Sequence, residues 1–376
     1  MIESELHHRI EERKELKRQL LAGTNLLMLA PRRIGKTWLM ERSEEDLVAE
    51  GHPCIRINLE GMSTEKEFLL ALCQKIEEKQ NIVQNVTSAF QTRWRQFVSG
   101  TSGDSLVQML SKIDPRLFLE TLVSALDCQE QRTMIFIDEF SLFVLELSRR
   151  DLDGTRTLLY HLRKLQQEYT NVSWLLTGSV GLDAVARRLD LEGALLEFEI
   201  FPLEPFTEAQ ARSFLAERSA QGRVRKPFDF DEAGFAYLVR ELSWLAPYYL
   251  DHIVKQIRPT LSATGAAIAT ESDVATAFDV LLSSTYRAYF SPWKEHITKN
   301  FPKDEMDRLL AILAKCCENA DGEIEATLLP LSPNMTRREL KDLLTCLGND
   351  GYLMKDGERW RFRSGLLRRY WLEYMA

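Results

Sequence analysis

Ala30-Pro-Arg-Arg-Ile-Gly-Lys-Thr37 is the stretch on which the reading of this chain turns. It lies between a short apolar run, Asn25–Ala30 (NLLMLA), and a helical pattern over Ile34–Glu50. The run is the length of a buried strand rather than a helix. The octapeptide matches the phosphate-loop pattern G-x-x-x-x-G-K-[ST], with Ala30 in place of the first glycine. Such a loop turns its backbone N–H groups inward on an anion. Gly35 lets the backbone come close, Lys36 supplies a fixed positive charge, and Thr37 offers a hydroxyl to Mg²⁺. The helix that follows adds the positive end of its dipole. Ala30 is a small departure, because a methyl group is tolerated where the residue keeps a negative φ. Arg32 and Arg33 either touch phosphate or carry loop charge toward solvent or a partner.

A second constellation lies about 100 residues on. Thr133–Asp138 (TMIFID) is a strongly apolar strand, and it delivers Asp138 and Glu139 at its C-terminal end, where open α/β sheets bind ligands. Asp138 would hold Mg²⁺ through water, and Glu139 would orient the attacking water. A further strand, Val172–Thr177, runs into Gly178-Ser179. A hydroxyl there would stand beside the γ-phosphate if this strand lies between the two motif strands; a simple turn is the other reading.

The rest of the chain is organised around these elements. Its 376 residues suit two to three domains, and 45% hydrophobic with 28% charged residues is a globular balance. A net charge of −8 argues against a generally basic nucleic-acid wrapper. No apolar run approaches the roughly 20 residues of a membrane helix. The charged, helical pattern of residues 1–22 is not that of a secretory signal. Six cysteines without a CxxC pair read as reduced thiols of a cytoplasmic protein, with neither zinc site nor disulfide framework. His7-His8, His52, His161, His252 and His296 show no metal-ligand spacing with carboxylates and read as surface or cap residues. Further strands are expected at Cys54–Leu59 and Leu195–Phe201. Helices are expected at Glu65–Lys79, Pro115–Leu126 and Arg156–Glu168, and this alternation implies a parallel sheet. The stretch 81–114 reads as an insertion. After Pro205 the pattern turns all-helical, opening with a Thr207/Gln210 capping box and continuing to Ser272–Phe290. Helices at Asp304–Cys317 and Arg337–Leu347 then precede a hairpin about Asp356-Gly357 and a closing helix, the order of a winged helix-turn-helix.

Taken together, Ala30–Thr37, Ile135–Glu139, Leu176–Ser179, Phe201–Phe206 and Trp244–Tyr249 resemble the AAA+-related STAND ATPases, particularly their archaeal-type branch. The resemblance covers nearly the whole chain. It implies an α/β P-loop core over residues 1–205 with strand order 5-1-4-3-2, a helical lid over 206–298 and a winged helix over 299–376. It further implies ATP and Mg²⁺ as ligands. By position, Pro31, Arg32, Arg33, Ile34, Gly35, Lys36, Thr37 and Trp38 would surround the nucleotide and Pro247 would reach it from the lid. Thr37 and Asp138 would serve the metal. Lys36, Glu139 and a sensor residue, Thr177, would serve hydrolysis. Related ATPases often complete the site with an arginine from a neighbouring subunit, so assembly in at least one nucleotide state is expected, with Arg187 and Arg188 as the candidates. Such switches act on a protein partner or effector, often in antiviral defence or mobile elements.

DNA is the alternative partner, reached through the winged helix. Residues 301–376 carry 12 Lys+Arg and 13 Asp+Glu, a net of about −1 that does not suit binding by counterion release. Within them, however, Lys355–Arg369 concentrates Lys355, Arg359, Arg361, Arg363, Arg368 and Arg369, and the second helix opens on Arg337-Arg338.

Overall fold

The computed structural model describes residues 7–79, 114–178, 182–220, 227–319, 323–325 and 335–375. The expected insertion at 81–114, apart from Asp114, and Ser179 lie outside them. The chain divides into two compact units: Glu11–Leu29 with Lys36–Leu203, and Met1–Ile10 with Ala30–Gly35 and Glu204–Ala376. This division places residues 1–10 with the C-terminal half and falls within the octapeptide, between Gly35 and Lys36.

The first unit is built on five parallel strands. In chain order its elements are α1 (Ile10–Leu21), β1 (Asn25–Met28), α2 (Lys36–Ala49), β2 (Cys54–Asn58), α3 (Glu65–Glu78), α4 (Pro115–Asp127), β3 (Thr133–Asp138), α5 (Phe140–Arg150), α6 (Leu152–Glu168), β4 (Val172–Thr177), α7 (Leu182–Arg188) and β5 (Phe198–Ile200). The strand order is β2-β3-β4-β1-β5, the expected order, and every pairing is parallel. Parallel neighbours need crossover connections, which the intervening helices provide. All six residues of β3 and of β4 are buried, which is why both read as continuous apolar runs. Helix starts are fixed locally. Thr64 and Glu67 form a reciprocal capping box for α3, and Asp114 caps α4 ahead of Pro115. Ser173 Oγ donates to Leu20 O (2.8 Å), tying the end of α1 to the sheet, and Trp174 N donates to Asn25 Oδ1 (3.0 Å), joining β4 to the start of β1.

Two differences from the sequence pattern have physical causes. The leading helix begins only at Ile10, because Arg9 adopts a left-handed φ of 51° that ends the preceding turn. Helix α5 is an addition: in FSLFVLELSRR the apolar positions run together and hide the 3.6-residue period.

The second unit continues with α8 (Glu208–Ala220), β6 (Asp229–Phe230), α9 (Glu232–Leu242), α10 (Pro247–Thr264), β7 (Ile268–Ala269) and α11 (Glu271–Leu282). It ends with α12 (Ser291–Asn300), α13 (Lys303–Glu318), β8 (Glu323–Glu325), α14 (Arg337–Asn349), β9 (Leu353–Asp356), β10 (Arg359–Phe362) and α15 (Gly365–Tyr374). The Thr207/Gln210 box is present, with Gln210 N donating to Thr207 Oγ1 (3.2 Å) and Thr207 N to Gln210 Oε1 (2.9 Å). The all-helical expectation is corrected by the short parallel pair β6–β7. The expected helix Ser272–Phe290 stops at Leu282, where Ser283 Oγ donates back to Val280 O (2.7 Å). In the winged-helix region, β8 joins the expected hairpin as a third antiparallel strand, too short to show alternation in the sequence. Direct bonds join this region to the helices before it. Arg369 Nη2 donates to Asp279 Oδ1 (2.7 Å), Ser243 Oγ to Arg363 O (3.1 Å) and Tyr352 OH to Trp293 O (2.6 Å). Tyr370 and Trp371 are buried in the same core.

At the end of β4, Gly178 packs so tightly that a Cβ there would lie 1.9 Å from Ser141 Oγ and 2.8 Å from Ser141 Cβ. Gly178→Ala is therefore expected to cost about 1–3 kcal/mol of stability, as overpacking does. Urea denaturation checks this, and a midpoint equal to that of the parent would contradict it.

Candidate functional site

Four strand ends are aligned at one edge of the parallel sheet. Asn58 is paired in register with Asp138, Met28 with Thr177, and Ile137 with Leu176. In-register neighbours of a parallel sheet share a face, so Asp138 and Thr177 leave their strands on the same side. Helix α2 starts at Lys36, which is buried, and Thr37 follows in its first turn. Thr37 Oγ1 donates to Asp138 Oδ2 at 2.7 Å across 101 residues of sequence. The other carboxylate oxygen, Oδ1, accepts from Glu139 N at 3.0 Å. Asp138 is only 3% exposed, so these bonds hold a nearly buried acid in one orientation.

Glu139 turns the chain out of β3 into α5 with a left-handed φ of 56°. For a residue with a side chain, that conformation costs about 1–2 kcal/mol. Its carboxylate does not cap the helix it begins. Thr177 is buried, and its Oγ1 has no hydrogen-bond partner among the described residues; Ser141 Oγ, beside Gly178, is in the same condition. A buried hydroxyl without a partner is a costly feature that a bound polar group can relieve. Trp38 is half-buried, with Arg42 5.8 Å from its ring centroid. Arg187, one of the two arginine candidates, is exposed and pairs with Glu192 (3.3 Å). The other, Arg188, ends α7.

Residues Ala30–Gly35 are held within the second unit. Gly35 has φ +100°, open to glycine and strained for any other residue, and a Cβ there would come 4.0 Å from Pro247 Cγ. Pro247 occupies the first position of α10. Arg33 lies 4.3 Å over the ring of Tyr248, the next residue, so it is half-buried in a cation–π contact rather than turned to solvent. Arg32 and Pro31 are half-buried, and Ala30 and Ile34 are buried. Ala30 is not among the positive-φ residues, which is the condition under which its methyl group is tolerated. Ile34 O accepts from Arg9 Nη2 (3.2 Å), and the same nitrogen donates to Glu204 O (2.9 Å). Arg9 is 1% exposed and also stacks over Phe206 at 4.8 Å. Sequence reading placed it among the charges of the leading helix. Nothing in its neighbourhood marks it apart, because its partners are backbone carbonyls 25 and 195 residues away.

The oxygen pair of Thr37 and Asp138 is the donor chemistry that hard divalent cations take. The glycine-bearing loop ahead of a helix is the chemistry that phosphate takes. The residues present therefore fit a nucleoside triphosphate with a divalent metal.

Residues 22–185 match the family model of the AAA domain. Solved structures with the same fold include a Walker-type ATPase of Pyrococcus abyssi, at 18% identity and a TM-score of 0.63, with 96% of this chain and 95% of that one aligned. They also include the ORC2 protein of Aeropyrum pernix, at 15% identity and a TM-score of 0.56, with coverage of 97% and 92%. The chain shares its fold with both over nearly its whole length. Comparison with curated protein sequences gives no match. No helix among the described residues is long and apolar enough to cross a membrane.

The aromatic cluster around Arg33 gives a pH prediction. His252 packs on Tyr248 (4.4 Å between centroids) and Tyr289 (4.2 Å). Burial, with the positive charges of Lys255 and Arg33 and against the opposing charge of Asp251, pushes its pKa down to about 4. A depressed histidine pKa favours the folded state fully above the ordinary value near 6.5, and this contribution is lost as pH falls through about 4. Melting curves between pH 7 and 4 should therefore fall more steeply for the parent than for His252→Gln; parallel curves would contradict this.

Proposed function

We propose that this chain is an ATP-binding and ATP-hydrolysing molecular switch of the AAA+/STAND type that reports its nucleotide state to a protein or nucleic-acid partner. The observation that carries the reading is the 2.7 Å hydrogen bond from Thr37 Oγ1 to Asp138 Oδ2, which brings the end of the phosphate-loop motif onto the acid closing β3. In this reading Pro31–Trp38 surround the nucleotide, and the Lys36 ammonium neutralises phosphate charge. Thr37 and Asp138 hold Mg²⁺, whose contribution when bound is to offset negative charge on the phosphates. Glu139, set off the strand end by its left-handed backbone, orients the water, and the Thr177 hydroxyl, without a partner among the described residues, senses the terminal phosphate. Pro247, packed near Gly35, contacts the nucleotide from the helical region. The similar Aeropyrum pernix protein was solved with ADPNP and ADP, which supports adenine nucleotide as the ligand.

The switch half of the proposal is supported by the partition of the octapeptide. Residues up to Gly35 belong to one compact unit and residues from Lys36 to the other, so the motif itself spans the boundary along the chain. The alternative, a DNA-acting loader, loses support from the basic run of the hairpin. Arg359 pairs with Glu325 (4.0 Å) and Arg361 with Asp356 (3.6 Å). Arg363 donates to Gly348 O (3.2 Å), Arg368 to Asn319 O (2.8 Å) and Arg369 to Asp279 (2.7 Å). With most of this run already partnered within the fold, a protein partner is favoured.

Lys36→Ala is expected to abolish ATP binding or turnover. Glu139→Gln is expected to bind ATP while hydrolysing it roughly 10²-fold or more slowly, the scale of a lost general base. A phosphate-release assay paired with nucleotide-binding measurements checks both; parental turnover in the two variants would overturn the assignment.

A further inference from the structure

His7 and His8 form a short turn ahead of Arg9 and meet Glu217 of α8, more than 200 residues away. His7 Nε2 lies 3.0 Å and His8 Nε2 3.1 Å from the same carboxylate oxygen, Glu217 Oε2. The three ligand atoms all lie within 4.8 Å of one another. Along the sequence these histidines show no metal-ligand spacing with carboxylates; the fold brings two of them onto one carboxylate, so for His7 and His8 the reading as surface or cap residues is corrected. The His7 side chain is 6% exposed, whereas His8 and Glu217 are 37% and 42% exposed, so one side of the group opens to water. On its far side, His7 Nδ1 is 2.9 Å from Ser213 Oγ, one helical turn before Glu217. The edge of Phe214 packs against the His7 ring at 5.7 Å, and the two imidazoles meet edge-to-face at 4.2 Å. Arg218, the next charge along the helix, pairs with Asp251 at 3.6 Å.

Two imidazole nitrogens and one carboxylate oxygen are the protein donors of open zinc-type sites. In a tetrahedral site, bonds of about 2.0–2.1 Å put neighbouring ligand atoms roughly 3.3 Å apart. Two of the three separations here, at 3.0 and 3.1 Å, are already near that length. The third closes by rotation of the exposed His8 ring. A buried imidazole steadied through its other nitrogen by a hydroxyl has the outer support that metal-ligating histidines use to fix tautomer and orientation. We infer that His7, His8 and Glu217 form a binding site for a first-row divalent cation of the zinc type, with solvent completing its coordination. The site has a mechanical consequence, because His8 is followed directly by Arg9. Arg9 grips Ile34 O of the phosphate-loop stretch and Glu204 O. An ion that pins the turn to α8 also fixes the backbone from which that grip is made.

The test uses the full chain stripped with chelator and then titrated with Co²⁺, which reports coordination through its visible absorption, with Zn²⁺ added in competition. The expected result is one equivalent of bound Co²⁺, displaced by Zn²⁺, and a melting temperature raised by Zn²⁺. His8→Ala and Glu217→Gln change half-exposed residues and so keep the fold. Each should weaken Co²⁺ binding at least about tenfold and lose the Zn²⁺ shift. Absence of the Co²⁺ spectrum in the parent chain would overturn the inference. Binding that both variants retain unchanged would place the ion on other donors, such as the exposed Cys128, and would overturn it equally.

Discussion

The hydrogen bond between Thr37 and Asp138 is the constraint around which the first unit is arranged. It requires β1 to release the chain into α2 on the same side of the sheet on which β3 ends. A parallel order with β4 inserted between β3 and β1 places Thr177 beside both strand ends. The buried strands secure this geometry. Their side chains fill both faces of the sheet, so a register slip would carry buried apolar groups out of the core together with the acid. The cost appears locally, in the left-handed Glu139, the close approach of Gly178 to Ser141, and the buried Thr177 and Ser141 hydroxyls, which have no partner among the described residues. Strain and unsatisfied polar atoms concentrated at one sheet edge are what a ligand site looks like before its ligand is considered.

The second unit treats the same octapeptide differently. Its residues up to Gly35 are packed by Pro247 and Tyr248 and held from the N-terminal turn by Arg9. The charge on Arg33 is spent on an aromatic face, and that on Arg9 on two carbonyl oxygens, so neither arginine is a loose surface cation. The winged-helix arginines follow the same pattern, with internal partners for most of the hairpin run.

What could be read from the sequence, and what could not, divides along the range of the interactions involved. Ala30–Thr37 and Thr133–Glu139 were legible because each motif is contiguous, with its chemistry and its flanking strand in one window. The strand order followed from the family resemblance and agrees with the structure. Arg9, the His7–His8–Glu217 group and the Arg33–Tyr248 contact were not legible, since each depends on a partner brought near only by the fold. Helix α5 was hidden by too much apolar content, and β6, β7 and β8 by too little length. The early end of α11 rests on a serine bonding to its own helix, a local competition that hydrophobic periodicity does not register.

The most direct measurement is the Mg²⁺ dependence of ATP affinity, by calorimetry with and without chelator, in the parent chain, Thr37→Val, Asp138→Asn and the double variant. If the hydroxyl and the carboxylate serve one metal, the parent binds ATP more tightly with Mg²⁺. Each single variant then loses that gain, and the double variant loses no more than either single one. A Mg²⁺ gain that survives in the single variants, or losses that simply add, would mean that the two groups do not act on a common ion.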